Sequence, residues 1–163
     1  MTFIRLTFFY LICVVGHWWL GAHFSPGGVT PSLLLSATAA VATLGGPIAA
    51  HAFAFMCGLY LDFVSPHLFG GHALVFTLLA YVIWFVKWRL DFPTPLPQMG
   101  LVFAATVFSG AVYGALELVF KGNFVWRGWA FSFFTPVANA LISPVLFALA
   151  AMFVSPDEKA RYD

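Results

Sequence analysis

The feature that most constrains this chain is a run of 56 residues, from Leu6 to Leu61, without a single Asp, Glu, Lys or Arg. A helix that crosses a membrane needs about 20 apolar residues, so one helix cannot account for this run. Stretches that contain Gly and Pro at residues 23–28 and 45–47 divide it, because these residues break helices. The run therefore predicts three consecutive apolar helices.

Composition places the chain among integral membrane proteins. Of its 163 residues, 62% are apolar and 8% are charged, whereas about 25% are charged in an ordinary soluble domain. The mean hydropathy is +0.95. This high apolar content also excludes a disordered chain. The apolar stretches are long and continuous, unlike the alternating strands of a membrane barrel, so the predicted fold is all-α.

Six transmembrane helices are predicted in a single domain over residues 1–163. Further breaks fall at residues 65–71, at the three prolines between 93 and 97, which exclude a helix there, and after Lys121. The first apolar run exceeds the apolar part of a signal peptide, so we expect it to be retained as a helix. The predicted spans are 3–22, 29–44, 47–64, 71–88, 98–120 and 131–154, followed by a polar tail at 155–163.

The second predicted span, 29–44, is short. At 1.5 Å per residue it reaches only about 24 Å, less than the hydrocarbon core of about 30 Å. It either lies within the protein or is thinly flanked by lipid, and the sequence leaves both alternatives open.

The positions of the basic residues predict the orientation. With six spans both termini lie on one side, which carries five basic residues against two on the other side. The positive-inside rule then places both termini in the cytoplasm. The five are Arg5, Lys87, Arg89, Lys159 and Arg161, and the two are Lys121 and Arg127.

Two acidic residues, Asp62 and Glu117, fall inside or at the edge of predicted spans. An ionisable group in a membrane is costly, so each is a candidate functional residue. Asp62 lies three residues before Ser65-Pro66, which fits a position in interfacial water. Glu117 lies four residues before Lys121, which fits an ion pair within one helix. Proton or ion coupling is the alternative for both residues.

Small residues recur every four positions in the third and fifth predicted spans. This spacing puts them on one helix face, where they let another helix approach closely. Packing within this chain and docking of a partner's transmembrane helix are the two alternatives, and the spacing does not separate them. The candidate docking residues are Ala50, Ala54, Gly58 and Asp62 in the third span, and Gly110 and Gly114 in the fifth.

No pattern typical of catalysis or metal binding occurs. The five histidines lack the i,i+4 spacing of a helical zinc motif, and G-x-S-x-G, H-E-x-x-H and phosphate-loop patterns are missing. Cys13 and Cys57 lie within apolar runs, so we expect buried thiols. A net charge of +1 offers no basic patch for nucleic acid. We expect a non-enzymatic protein without metal or cofactor.

The sixth predicted span carries polar and helix-breaking residues at membrane depth. The amide of Asn139 needs a hydrogen-bond partner there, from a free carbonyl or from another helix. Pro136 can occupy the first turn of the span. Pro144 lies in mid-helix, where it removes a backbone hydrogen bond and should kink the span.

The stretch HAFAFMCGLYLDF at 51–63 is followed by Ser65, by Pro66 and by FGGHAL at 69–74. It resembles the GFxxGLxxDxxS and PLGxHAL segments of the MreD family of rod shape-determining proteins. Tyr81 and the sequence NALI at 139–142 also match family positions, whereas His51 departs from the small or apolar residue that is usual. The resemblance implies structural or interface roles for Gly58, Asp62, Pro66, Gly70 and Gly71, and we add Tyr81, Asn139 and Pro144 as structural candidates.

The resemblance implies a scaffold in the bacterial inner membrane. MreD-like proteins bind MreC, a single-span protein with a large periplasmic domain, and through it are linked to MreB, RodA and a class B penicillin-binding protein. The family fold is similar to the six-helix substrate-binding components of energy-coupling-factor transporters. We expect this chain to bind the transmembrane helix and adjacent segments of an MreC within the lipid bilayer, and to help maintain cell shape during lateral peptidoglycan synthesis.

The alternative function is the small-molecule (vitamin-like) binding component of a membrane importer, which shares the six-span architecture. It predicts an outward-facing pocket with several polar groups at one depth. The sequence offers Asn139, Glu117, Asp62 and Tyr113 for such a pocket.

Overall fold

The residues that the structure describes form six helices. A computed structural model describes residues 2–23, 31–65, 68–87, 89, 94–122 and 128–154. Within these residues there is no strand, so the all-helical prediction is confirmed. The helices are α1 (Thr2–His23), α2 (Leu33–Leu44), α3 (Pro47–Val64), α4 (Gly71–Lys87), α5 (Pro95–Lys121) and α6 (Gly128–Phe153). The predicted polar tail and Pro66 lie outside the described residues.

Four of these helices, α1, α3, α5 and α6, are long and apolar enough to cross a membrane. They are consistent with a multi-pass membrane protein. The apolar helices α2 and α4 are shorter, with 12 and 17 residues, which correspond to about 18 and 26 Å. The hydrocarbon core is about 30 Å thick, so α4 approaches that thickness and α2 does not.

The ends of the helices follow from Gly and Pro. α3 begins at Pro47 and ends at Val64, the bounds predicted from the breakers on either side. α5 begins at Pro95, so the prediction that the prolines exclude a helix at 93–97 is wrong from Pro95 onward. The reason is that N–H groups in the first turn have no partner within the helix, so Pro95 and Pro97 remove no hydrogen bond there.

The helix α6 begins at Gly128, earlier than predicted. Pro136 therefore lies inside the helix and not in its first turn, which corrects that prediction, and Pro144 lies inside it as predicted. Pro144 has no N–H to donate to the carbonyl of Ala140, four residues earlier. The hydroxyl of Ser143 donates to that carbonyl at 2.7 Å, so the lost hydrogen bond is replaced.

Five helices form a ring around α2. Contacts join α1 to α3, α3 to α4, α4 to α5, α5 to α6 and α6 to α1, while α2 contacts all five. The sequence of α2, LLLSATAAVATL, explains its central place, because small side chains let neighbouring backbones approach closely. Ten of its twelve residues are buried. Of the two alternatives for this segment, the structure therefore shows the one within the protein.

The helix α2 begins in the interior of the bundle. The N–H of Ser32 donates to Oδ1 of Asn139 at 2.7 Å, and Nδ2 of Asn139 donates to the hydroxyl of Thr106 at 3.1 Å. Asn139 and Thr106 lie near the middle of α6 and α5, so α2 starts at mid-depth. The N–H groups at the start of a helix have no partner within the helix, and Asn139 accepts the one from Ser32.

The start of the predicted span 29–44 is therefore wrong, because the helix begins only at Leu33. Ser32 is the N-cap, and its hydroxyl accepts a hydrogen bond from the N–H of Leu35 at 3.4 Å. The other end of α2 lies at the end of the bundle, where the carbonyl of Gly45 accepts a hydrogen bond from Nζ of Lys87 at 2.8 Å.

The outer surface of the ring is apolar. Every ring helix exposes large apolar side chains, among them Phe8, Phe63, Phe85, Phe120 and Phe133. A monomeric soluble protein rarely exposes so continuous an apolar surface. Such a surface is consistent with contact with lipid chains.

Candidate functional site

The α3–α4 contact contains a buried carboxylate. Asp62, only 4% exposed, accepts hydrogen bonds from the N–H of His72 at 2.9 Å and of Ala73 at 3.0 Å. Both N–H groups belong to the first turn of α4, where no partner exists within the helix. Nδ1 of His72 also lies 2.9 Å from Asp62. Asp62 of α3 thus caps α4, where the helix dipole favours a negative charge.

The position of Asp62 corrects its expected place in interfacial water. Its side chain turns into the protein because the first turn of α4 offers it two backbone donors. A carboxylate that accepts several hydrogen bonds can be buried at a tolerable cost, whereas an isolated one cannot.

Gly58 permits the close approach of the two helices. A Cβ atom at Gly58 would lie 2.4 Å from Cα of Ala73 and 2.5 Å from the carbonyl oxygen of His72, which leaves no space for any side chain. Ala50 and Ala54, on the same face of α3, are also fully buried. The small-residue face of α3 therefore packs within the chain. Because this face is buried, it does not offer a docking surface to the helix of another protein.

The turn before α4 requires glycine. Gly70 has a φ of +86°, a left-handed conformation in which other residues are strained. Gly71 packs against α5, because a Cβ atom there would lie 3.0 Å from the ring of Tyr113. The structural roles that the family resemblance implies for these two glycines thus have a physical reason.

His72 connects the α3–α4 junction to α5. Its ring centroid lies 4.2 Å from that of Tyr113, and the two rings are inclined by 33°. Tyr113 is 7% exposed, and Glu117, one turn further along α5, is 2% exposed. Three of the four residues expected to line a ligand pocket, Asp62, Tyr113 and Glu117, lie toward one end of the bundle. Asn139 lies apart from them at mid-depth.

Glu117 points into the bundle. Its predicted partner Lys121 is exposed, and within the described part of the chain no ion pair joins them. The prediction of a pair within one helix is therefore wrong. The spacing of four residues permits such a pair, but Glu117 shares the inward face of α5 with Tyr113.

An open groove runs along the outside of the α3–α4 hairpin, with a volume of about 720 Å³. Ala73 is buried and Thr77 half-buried, so they form its floor, while Phe69 and Tyr81 are 68% and 55% exposed at its sides. His51 of α3 also lines the groove, and its ring centroid lies 6.3 Å from that of Tyr81, with the two rings inclined by 61°. This surface, the hairpin groove, lies within the stretch that carries the family resemblance.

The candidate residues of α5 lie elsewhere. Gly110 is exposed, and no described residue of another helix lies within 4 Å of the place that a Cβ would take, while Gly114 is half-buried. The structure therefore does not bring them together with the candidates of α3. Their role in docking stays a prediction.

No protein family, curated protein or solved structure matches the chain. The similarity to transporter components that the family resemblance implies therefore stays a prediction. Where side chains are described, no three His, Cys, Asp or Glu residues are placed to hold a metal ion, and Cys13 and Cys57 are buried free thiols. The features of the described residues that bear on function are therefore the packing of the helices and the surfaces that it leaves open.

Proposed function

We propose that this chain is a non-enzymatic inner-membrane scaffold that binds an MreC and helps maintain cell shape in the bacterial elongation complex. The observation that carries the proposal is the hairpin groove, an open surface built by the stretch that resembles the MreD family. The resemblance supports the identity of the partner, and through that partner the indirect links to MreB, RodA and a class B penicillin-binding protein.

The two sides of the α3–α4 hairpin have different roles in this proposal. On the inward side, Gly58 and Asp62 hold α4 against α3 through a close backbone approach and a buried cap. On the outward side, Thr77 and Tyr81 are accessible. Rigid support beneath an exposed surface suits binding, because little conformational freedom is lost when the partner docks.

The hairpin groove fits a transmembrane helix by its chemistry. Its sides carry exposed aromatic and aliphatic side chains, and its floor consists of small residues that let a helix approach closely. The polar groups of His51 and Tyr81 can bond a polar residue of the partner at membrane depth. From Ala73 to Tyr81 the groove follows about 12 Å of α4, which equals about two helical turns of contact.

The orientation that we propose has both termini in the cytoplasm. The ring centroid of Phe9 in α1 lies 5.8 Å from that of Phe153 at the end of α6, and the next residue, Val154, packs beside Gly45, whose carbonyl binds Lys87. Arg5, Lys87 and Arg89 therefore belong to one end of the bundle, and the excess of basic residues assigns that end to the cytoplasm.

The test is co-purification with the MreC of the same genome in mild detergent. The substitution Thr77→Leu fills the floor of the groove. The hydroxyl that it removes donates to the carbonyl of Ala73 in the same helix, so no contact between helices is lost with it. We expect this variant to retain about tenfold less MreC, since about 1.4 kcal/mol of lost packing gives that factor. The complex should also persist when the periplasmic domain of MreC is deleted.

Two glycines complete this test: Gly21→Leu is the matched control, and Gly110→Leu tests docking on α5. Gly21 on α1 and Gly110 on α5 both have open space where a Cβ would lie, so leucine fits at either position. Gly21→Leu should bind MreC normally. A loss with Gly110→Leu but not with Thr77→Leu would move docking to α5, and a complex that no variant weakens would contradict docking at membrane depth.

The vitamin-binding alternative rests on the gathering of Asp62, Tyr113 and Glu117 toward one end of the bundle. Its support is weaker because both carboxylate oxygens of Asp62 already accept backbone hydrogen bonds from α4. Saturable binding of a vitamin to the purified chain, together with absence of an MreC complex, would favour it.

A further inference from the structure

A second groove lies between α4 and α5, on a side of the bundle that the proposed scaffold does not use. It has a volume of about 640 Å³ and extends from Leu79 to Val86 on α4 and from Pro97 to Phe108 on α5. Every side chain that lines it is apolar. It therefore offers no side-chain hydrogen bond to a polar ligand or to a polar residue of a partner helix.

The dimensions of this α4–α5 groove match half of a bilayer. Along α5 it covers eleven residue steps, about 16 Å, which is about half of a hydrocarbon core of 30 Å. It begins near the end of the bundle that holds Lys87 and reaches the middle of α5. Gly100 leaves it open, because, apart from its chain neighbours and the adjacent backbone of α5, no described atom lies within 4 Å of the place that a Cβ would take.

Arg89 follows the end of α4, one turn after Val86, the last residue of α4 that lines the groove. Arg89 is exposed, and its N–H donates to the carbonyl of Val86 at 2.9 Å, which fixes it one turn beyond the end of the groove. Its guanidinium lies over the ring of Phe85, 5.4 Å from the centroid. Such a guanidinium at the membrane surface is suited to bind phosphate. Nζ of Lys87 is instead engaged by the carbonyl of Gly45.

We propose that the α4–α5 groove holds one acyl chain of an anionic phospholipid, whose phosphate binds Arg89. The apolar lining and the length of the groove suit an acyl chain. Arg89 accounts for the preference for an anionic headgroup. The inference is independent of the proposed partner and would hold for the isolated chain.

The test is native mass spectrometry of the full chain with phosphatidylglycerol and phosphatidylcholine of identical acyl chains. The unmodified chain should retain phosphatidylglycerol about fivefold better, as expected for the attraction of one arginine to an anionic lipid. Arg89→Gln should bring the two lipids to similar retention. Gly100→Leu fills the groove and should reduce retention of both, whereas Gly21→Leu on α1, equally unobstructed, should not.

Several results would overturn the proposal. They are equal retention of the two lipids by the unmodified chain, an Arg89→Gln variant that keeps the preference, and a folded Gly100→Leu variant with normal retention. If Gly100→Leu does not fold, Ala104→Leu, one turn away in the same groove, replaces it. Loss of MreC from Gly100→Leu with lipid retention unchanged would assign the groove to a partner helix and also contradict the proposal.

Discussion

Asp62→Asn should destabilise the chain by about 1–3 kcal/mol, because one buried N–H loses its acceptor. In the native chain the two carboxylate oxygens accept separate N–H groups of α4, from His72 and Ala73, at 2.9 and 3.0 Å. The amide of Asn has one oxygen and one NH₂ group, so one backbone donor then faces another donor. Asp62→Ala removes both acceptors and should cost about 2–6 kcal/mol.

The free energy of unfolding can be measured by titration with sodium dodecyl sulfate in mixed micelles, followed by circular dichroism. His72→Phe is the comparison variant, because it keeps an aromatic ring beside Tyr113 and both backbone N–H groups that Asp62 accepts, while it removes the contact of Nδ1 with Asp62. We expect it to cost about 1 kcal/mol or less. If His72→Phe costs as much as Asp62→Ala, or if both Asp62 variants lose less than about 0.5 kcal/mol, the capping argument is refuted.

Two further substitutions probe the packing of the bundle. Gly58→Ala places a Cβ against the backbone of α4 and should lower stability by about 1–3 kcal/mol, whereas Gly110→Ala, which meets open space, should be neutral or stabilise by up to about 1 kcal/mol in the same unfolding titration. Asn139→Leu leaves the N–H of Ser32 without an acceptor and should cost about 1–3 kcal/mol, with faster hydrogen exchange in the first turn of α2. Unchanged exchange there would contradict the anchoring role of Asn139.

Helix type and most helix ends could be predicted because they depend on local properties. Pro47 and the Ser65 break bound α3 where the sequence predicts. Two errors concern prolines, because the effect of a proline depends on whether it lies in the first turn of a helix or further inside: a helix was not expected at Pro95, and Pro136 was expected in a first turn. Pro95 begins a helix and Pro136 lies inside one, and only the packed bundle decides between such outcomes.

The α3–α4 junction could be predicted only in part. The spacing of Gly58 and Asp62 placed them on one face of a helix, but helical spacing carries no information about what packs against that face. His72 was not singled out as a partner of Asp62, although its place directly after a Gly-Gly turn marks the start of a helix, where a carboxylate is favoured. The hairpin groove left no signal in the periodicity, because its lining comes from two helices.

By itself, the sequence determined that this chain is helical and suited to a membrane, because hydropathy and helix breaking are properties of the local chain. Only the tertiary structure decided that α2 lies at the centre of a ring, that Asp62 caps a neighbouring helix, and that two grooves remain open on the outside. The reason is physical. In an apolar solvent nearly all helix faces are apolar, so hydrophobicity does not distinguish inside from outside, and close packing and buried hydrogen bonds make that choice.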